Sequence, residues 1–144
     1  MKKWIFLLLG WAWAMASCTM ETSDNGALDG YWQLASVDSL PDGPSVDTRD
    51  MGIFWSVQAR LLRMTSGVMV LPDVFFRFDH RGDSLLLSHP VLNNRNIGDS
   101  LLEDASQLRP YGLSGLSDTL QVLQLSNSRM ALKGKIVRLH FRKF

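Results

Sequence analysis

The sequence contains little of what cysteine, metal or nucleic-acid chemistry requires. One cysteine, Cys18, and three histidines occur in 144 residues, and 15 basic side chains nearly balance 14 acidic ones. A single cysteine excludes an internal disulfide, and no histidine stands at a helical metal-ligand spacing from another ligand. The balanced charge gives a nucleic acid no electrostatic footprint. The sequence therefore predicts no metal, no cofactor and no nucleic-acid partner.

Motifs of the common enzyme classes are also missing. The sequence has no Gly-x-Ser-x-Gly elbow and no glycine-rich phosphate loop. Several aspartates could pair as acid and base after folding, but each neighbours a glycine, a proline or a predicted cap, where aspartate is favoured for turn hydrogen bonds alone. These aspartates are Asp73, Asp79, Asp83 and Asp99. We therefore expect a protein that is not an enzyme.

The first 17 residues have the layout of a secretory signal peptide. Lys2 and Lys3 precede a stretch without charge, Trp4 to Ala16, and small residues follow. At about 1.5 Å per residue, this stretch covers about 20 Å, short of the roughly 30 Å hydrocarbon core of a bilayer. We expect residues 1–17 to be removed rather than to span a membrane.

The only cysteine follows this stretch directly. Met15-Ala16-Ser17-Cys18 resembles a bacterial lipobox, with Met15 where leucine is usual. The resemblance implies cleavage before Cys18 and a diacylglycerol on its thiol, which would anchor the protein in the cell envelope, at the outer membrane. The polar residues that follow lack apolar periodicity. We therefore predict a lipidated cysteine and flexible tether over residues 18–29.

Residues 30–144 show the pattern of a single all-β domain. Apolar alternation predicts strands over 31–37, 53–64, 74–79, 83–88, 119–125, 129–133 and 135–142. Gly82 supplies the tight turn of the clearest hairpin. Ser100 and Glu103 fit a capping box and predict one short helix over 99–108, ended by Pro110. With no βαβ spacing, the pattern predicts an antiparallel barrel or sandwich.

A Gly-x-Trp motif, Gly30-Tyr31-Trp32, lies on the first predicted strand, and Leu139-x-Phe141-Arg142 lies on the last. In an all-β chain of this size behind a lipobox, these features resemble the lipocalin-like domain lipoproteins of unknown function in Bacteroidetes. The resemblance covers residues 30–144. It implies a small up-and-down barrel and a ligand that is not determined.

The resemblance also implies a plug at one end of the barrel. In lipocalins the tryptophan of the motif closes the barrel, and a basic residue after the last strand packs on its ring. Trp32 takes this position here. Arg142 and Lys143 both stand where the basic residue would be, and we assign the role to Arg142.

Strand alternation predicts where a cavity would lie. Trp55 and Val57 share one face of their strand, and Phe76 and Phe78 share a face of theirs. These faces carry no Lys or Arg, so a cavity there would take an uncharged or weakly charged apolar molecule. Arg60 lies near a strand end, where it could meet a carboxylate head group. The alternative is a packed core, because a barrel of this size usually fills its interior with such side chains.

Two functions follow from these alternatives. The favoured one is non-catalytic binding of a small apolar ligand by an envelope-anchored lipoprotein. The other is a filled barrel that serves as a protein-interaction module or accessory subunit of an envelope complex. Phe54 and Phe75 have the opposite parity from Trp55 and Phe76. Their outer face is therefore expected to be covered by the predicted helix or offered to a partner.

Overall fold

The computed structural model describes residues 23–68, 71–94, 96 and 98–144. The predicted signal peptide and Cys18 lie outside these ranges. The strands are β1 (Gly30–Ser39), β2 (Ser45–Asp47), β3 (Ile53–Gln58), β4 (Leu61–Ser66), β5 (Val74–Arg81), β6 (Ser84–Leu92), β7 (Ser100–Leu101), β8 (Asp118–Leu125), β9 (Arg129–Lys133) and β10 (Val137–Lys143). Short 3₁₀ helices are η1 (Gly26–Leu28), η2 (Arg49–Met51) and η3 (Ala105–Tyr111).

Eight of these strands form a closed antiparallel barrel. They pair in the order β1-β3-β4-β5-β6-β8-β9-β10, and β10 pairs back with β1. The two-residue β7 and the three-residue β2 are short additions, on β6 and β1 respectively. Each barrel strand lies next to its neighbour along the chain, so the predicted small up-and-down barrel is confirmed. Among the described residues, no helix is long and apolar enough to cross a membrane.

Alternation in the strands decides which side chains fill the barrel. On β3 the residues Ile53, Trp55 and Val57 are buried, while those between them face outward. Trp55 is the register partner of Trp32 on β1 and of Met64 on β4, and all three are buried. An eight-stranded barrel is just wide enough for such side chains to fill. The interior is therefore a packed apolar core.

The barrel has two ends, which we call the Trp32 end and the η3 end. In an up-and-down barrel alternate connections lie at the same end. The β3–β4, β5–β6 and β8–β9 turns therefore lie at the Trp32 end, where the chain enters β1. The β1–β3, β4–β5, β6–β8 and β9–β10 connections lie at the η3 end.

Trp32 closes its end with help from both termini of the domain. Its ring is buried, and Nε1 donates a hydrogen bond to the Leu28 carbonyl at 2.8 Å. The cation over the ring is Lys143, with Nζ 4.7 Å from the ring centroid, so the assignment to Arg142 is wrong. On β10, Lys143 shares the inward parity of Phe141. Arg142 alternates outward, where its Nε donates to Gln33 Oε1 at 2.6 Å.

The opposite end is closed by the long connection between β6 and β8. Its residues Leu102, Leu108 and Tyr111 are buried in the same apolar cluster as the barrel interior. The Tyr111 hydroxyl donates to the Pro72 carbonyl at 2.6 Å, and burial raises the pKa of Tyr111 to about 12. Gly112 then turns the chain at φ 92°, where a Cβ would lie 2.4 Å from a Leu139 methyl carbon.

The long strand predicted over 53–64 is wrong. It is a hairpin of β3 and β4, joined by a tight turn at Ala59-Arg60. Ala59 has φ 52°, which is unusual for a residue with a side chain. The Asn25 side chain donates to its carbonyl, and Ser23 Oγ accepts from its amide, both at 2.7 Å. These contacts from residues distant in sequence stabilise the turn. The sequence around Ala59 has no local signal that predicts it.

The predicted short helix is present as η3, but its predicted bounds, 99–108, are wrong. Residues 100–101 form β7, and η3 begins only after Asp104, whose side chain accepts from the Ser106 amide at 2.9 Å. β8 pairs with β6 only over residues 84–87 of β6, so Val91 and Leu92 would otherwise lack a neighbour on that side. β7 supplies it. That pairing takes residues 100–101 out of an isolated helix that would be marginal at this length.

The flexible tether predicted over 18–29 does not extend through residues 23–29, and its first five residues lie outside the described residues. From Ser23 on, the chain packs against the Trp32 end: Leu28 is buried, and Ser23 and Asn25 bind the β3–β4 turn. Asp29 accepts hydrogen bonds from the Asn25 amide and side chain at 2.9 and 2.7 Å. Burial alone would raise the pKa of Asp29, but these bonds and one from Ser23 outweigh it and lower the pKa.

Candidate functional site

The predicted interior site is occupied by protein. Trp55 and Phe76 have no exposed surface and Val57 has 3%, so these side chains are almost wholly packed against protein. The Trp55 ring packs against Phe141 with ring centroids 4.8 Å apart. Trp55 Nε1 is nevertheless a buried donor with no hydrogen-bond partner among the residues that the structure describes. The structure thus brings three predicted ligand residues together, but as core.

The other two predicted ligand residues lie elsewhere. Arg60 is in the β3–β4 turn, and Phe78 is half-buried in the part of β5 nearer the Trp32 end. Both line a polar cleft of about 280 Å³ at the Trp32 end, together with Asp79 and His80. The five residues predicted to bind one ligand therefore divide between the barrel interior and a separate surface depression.

A more apolar cleft lies on the outside of the barrel wall. It has a volume of about 470 Å³, and we call it the outer cleft. Its side chains come from β4, β5, β6 and β7 and from the connection before β7: Leu61, Phe75, Arg77, His89, Val91, Asp99 and Leu101. The buried Phe76 contributes to the wall that separates this cleft from the interior. The volume lies within the range typical of small-molecule sites.

Strand register explains why these residues meet. Phe75 on β5 pairs with Val91 on β6, and Val91 pairs with Leu101 on β7. Leu61 on β4 pairs with Arg77 on β5, next to this row. Leu101 and Leu61 are 69% and 49% exposed, values typical of surface polar residues rather than of leucine. The four apolar side chains therefore form a continuous patch that solvent reaches.

A bulge in β6 makes the patch concave. The β5–β6 register shifts between Phe75 and Arg77, so β6 carries one residue more than β5 over this stretch. His89 sits in the bulge with φ 53°, and Pro90, which cannot donate to a ladder, follows it. His89 is exposed there, and its Nδ1 lies 3.1 Å from Ser88 Oγ.

An ion pair supports the aromatic floor of the cleft. The Arg63 guanidinium lies 5.7 Å from the centroid of the Phe75 ring and is paired with Asp73. A ring held from one side by a cation keeps its other side for packing. Arg63 is therefore engaged within the protein, which leaves Arg77 as the guanidinium at the rim of the cleft.

The outer cleft can thus hold an amphipathic molecule. Phe75, Val91 and Leu101 offer an apolar surface, and Arg77 beside His89 offers donors to an anionic group. Asp99 lies on the same rim and would disfavour a second negative charge. The arrangement suits one weakly charged group on an apolar body.

A second cluster of polar side chains lies on β1, β2 and β10. His140 Nε2 lies 2.7 Å from Asp38 Oδ2, and both line a cleft of about 530 Å³. A hydrogen bond from Ser45, and then one from His140, hold the pKa of Asp38 below its usual range. Within the described ranges, no three histidine, cysteine or carboxylate side chains are placed to hold a metal ion.

Sequence reasoning did not find the outer cleft, although one signal was available. The opposite parity of Phe54 and Phe75 predicts that both rings face outward, and both do. Phe75 forms the cleft floor, whereas Phe54 stacks on Tyr31 with ring centroids 4.7 Å apart. The cover expected from a helix at Leu101 is instead a two-residue strand.

Comparison with known proteins agrees with this geometry. A family profile described as a lipocalin-like domain matches residues 13–144. A lipocalin-like protein from Bacteroides uniformis ATCC 8492 is similar in structure, with TM-score 0.59 and 23% identity over 83% of this chain and 100% of that one. An uncharacterized protein from Bacteroides eggerthii DSM 20697 gives TM-score 0.58 and 22% identity over 81% and 99%. No curated protein sequence matches the chain.

The two structural neighbours share the fold at an identity too low to transfer a ligand or a partner. The family profile covers nearly the whole chain, including every barrel strand. Together with the closed eight-stranded barrel, this shows a binding-type fold. The chain belongs to the lipocalin-like domain family.

Proposed function

We propose that this protein is a non-catalytic binding protein, anchored to the outer membrane by a lipid on Cys18, that holds a small amphipathic molecule in the outer cleft. The observation that carries the proposal is the contrast in exposure between two sets of apolar residues. The interior residues have almost no accessible surface, whereas Leu61 and Leu101 in the outer cleft are largely exposed.

The chemistry of the cleft narrows the class of ligand. Four exposed or half-exposed apolar side chains fit an alkyl chain or a small ring system, and burying them is worth about 25 cal/mol per Å². Arg77 fits a carboxylate. A fatty-acid-like molecule of medium length satisfies both features and has the size of a cleft of about 470 Å³.

Decanoate is a suitable probe, and isothermal titration calorimetry measures its affinity directly. Leu101→Glu places a negative charge in the apolar cleft, and we expect at least a tenfold loss of affinity. Leu123→Glu is the matched control, because Leu123 is 44% exposed on β8 and does not line the cleft. Its affinity should stay within about twofold of that of the parent.

The charged rim has its own test. Arg77→Gln should weaken decanoate several-fold and leave the neutral analogue decanol unchanged, since only the carboxylate meets the guanidinium. An equal effect of Leu101→Glu and Leu123→Glu would contradict the cleft. Absence of saturable binding to the parent protein would contradict ligand binding altogether.

A protein partner is the second candidate, and the filled interior favours it. A barrel whose described interior side chains are buried, and whose wall carries exposed apolar side chains, has a surface to offer. This alternative gains if decanoate does not bind and Leu101→Glu instead removes a co-purifying envelope protein that Leu123→Glu retains.

The lipid anchor is tested separately in cells. Cys18→Ala should abolish acylation and move the protein out of the membrane fraction. Equal partitioning of variant and parent into detergent would contradict the anchor without bearing on the cleft.

A further inference from the structure

The folded domain begins very close to the proposed lipid attachment site. Ser23 is already fixed to the β3–β4 turn through the Ala59 amide, and only residues 19–22 separate it from Cys18. However these four residues are arranged, the Cα atoms of Cys18 and Ser23 lie at most about 18 Å apart. A lipid on Cys18 would therefore hold the Trp32 end of the barrel near the bilayer surface.

An exposed aromatic cluster lies beside this end. Tyr31 and Phe54 stack with ring planes 8° apart, and the Phe144 ring meets both edge-on, with centroids 6.2 and 5.3 Å away. Phe144 is 73% exposed and Tyr31 is also exposed, so the cluster is open to solvent. We call these three residues the aromatic patch.

The patch is tied to the segment that leads from Ser23. The Phe144 amide donates to the Tyr31 carbonyl at 2.8 Å. Lys143 Nζ, one residue earlier, donates to the Ala27 and Asp29 carbonyls at 3.1 and 2.8 Å. Direct hydrogen bonds therefore join the patch to the start of the folded chain.

We propose that the aromatic patch docks on the lipid bilayer to which Cys18 anchors the protein, so that the Trp32 end faces the membrane and the η3 end faces away. The inference rests on the proposed lipidation of Cys18. The short chain limits the distance, and the patch supplies the kind of surface that favours the interface between head groups and acyl chains, where aromatic side chains are enriched.

This orientation carries a consequence for the outer cleft. Leu101 and Val91 lie near the η3 end of the barrel wall, at the β6–β7 pairing. With the Trp32 end on the membrane, these cleft residues stand away from the lipid. A ligand would then reach Val91 and Leu101 from the aqueous side, while Leu61, beside the β3–β4 turn, marks the end of the cleft nearer the bilayer.

The single cysteine allows a direct test that does not depend on natural acylation. Every described contact lies within residues 23–144, so the chain from Cys18 on keeps the whole folded domain. It is coupled through Cys18 to a maleimide head group in phosphatidylethanolamine–phosphatidylglycerol vesicles that contain lipids brominated in the acyl chains. Flotation confirms the coupling before any reading is taken.

Two tryptophan reporters then read the orientation. Phe144→Trp lies in the patch, and Ile136→Trp, at a residue 55% exposed in the β9–β10 connection, reports from the opposite end. Emission of the parent protein is subtracted, since Trp32 and Trp55 are buried. We expect bromine to quench the Phe144→Trp signal at least twofold more than the Ile136→Trp signal.

Equal quenching of the two reporters, or no quenching of either on vesicles that carry coupled protein, would overturn the docking. Adding Tyr31→Ser to Phe144→Trp should reduce the quenching, because it removes part of the patch without touching the buried core. Unchanged quenching would also contradict the proposal. If Cys18 proves not to be acylated in cells, this experiment still reports on the patch, and the two failures remain distinguishable.

Discussion

The two faces of β5 have different surroundings. Phe76 faces inward and has no accessible surface, whereas its neighbour Phe75 faces outward onto the outer cleft. One strand thus contributes to the core on one side and to a candidate binding site on the other. Stability and binding should therefore separate at adjacent positions, which is testable by paired substitutions.

The sharpest test of this difference is the pair Phe76→Ala and Phe75→Ala. Removing the buried ring should cost about 3 to 5 kcal/mol in the free energy of unfolding, as large-to-small core changes do. Removing the outward ring should cost about 1 kcal/mol or less and should weaken decanoate binding at least fivefold. Urea unfolding and calorimetry read the two effects. Similar unfolding midpoints for both variants would break the comparison.

The inner face also depends on its closure at the Trp32 end. Trp32→Ala should cost about 3 to 5 kcal/mol because it removes a buried indole and its bond to Leu28. Lys143→Met should cost about 0.5 to 1 kcal/mol through the lost cation–π contact and hydrogen bonds. Arg142→Met, on the outward face, should cost less than Lys143→Met. If Arg142→Met lowered the urea midpoint more than Lys143→Met, the result would favour Arg142 as the cation that packs on Trp32.

At the η3 end, we expect a single contact of the closure to contribute less to the free energy of unfolding than Trp32 does at the other end. Tyr111→Phe keeps the buried ring and removes the hydroxyl that donates to the Pro72 carbonyl. The expected loss is about 1 kcal/mol, because that carbonyl then loses its partner. Tyr111→Leu, which also changes the shape, should cost more. A Tyr111→Phe variant as stable as the parent would show that the bond adds nothing to this closure.

The smallest expected effect concerns pH. The pKa of Asp29 is lowered in the folded protein. The carboxylate therefore contributes its full stabilisation at pH values above the pKa that Asp29 has in the unfolded chain. That contribution is lost as the pH falls through the folded pKa. Asp29→Asn should therefore lower the urea midpoint at neutral pH, and the difference from the parent should shrink as the pH falls below the unfolded pKa of the carboxyl. A pH-independent difference would assign it to shape rather than charge.

Much of the barrel could be predicted from the sequence because its signals are local. Gly82 and the alternating strands around it announce the β5–β6 hairpin, and Gly30 with Trp32 announces the first strand. The side-chain alternation along β10 also predicts that Lys143, and not Arg142, faces inward with Phe141. The structure adds that Trp32 and Lys143 are register partners, a pairing that alternation within β10 does not specify.

The missed features depend on contacts between distant residues. Ala59 contains no turn signal, and its turn is held by Ser23 and Asn25 from the start of the domain. β7 forms because β8 leaves the part of β6 near the η3 end without a neighbour on that side. This gap follows from the β6–β8 pairing and has no signal in the local sequence. The outer cleft needs the bulge at His89, whose effect appears only when β5 lies beside it.

The central claim is that a ligand binds outside a filled barrel, and Trp55 can test it directly. In a Trp32→Phe variant without residues 1–17, Trp55 is the remaining tryptophan, and its unpaired Nε1 would meet any polar group that entered the interior. Decanoate is titrated while calorimetry records binding and fluorescence records the Trp55 emission maximum. We predict saturable heat with no shift in emission. A shift that follows the heat would place the ligand inside the barrel and contradict the account.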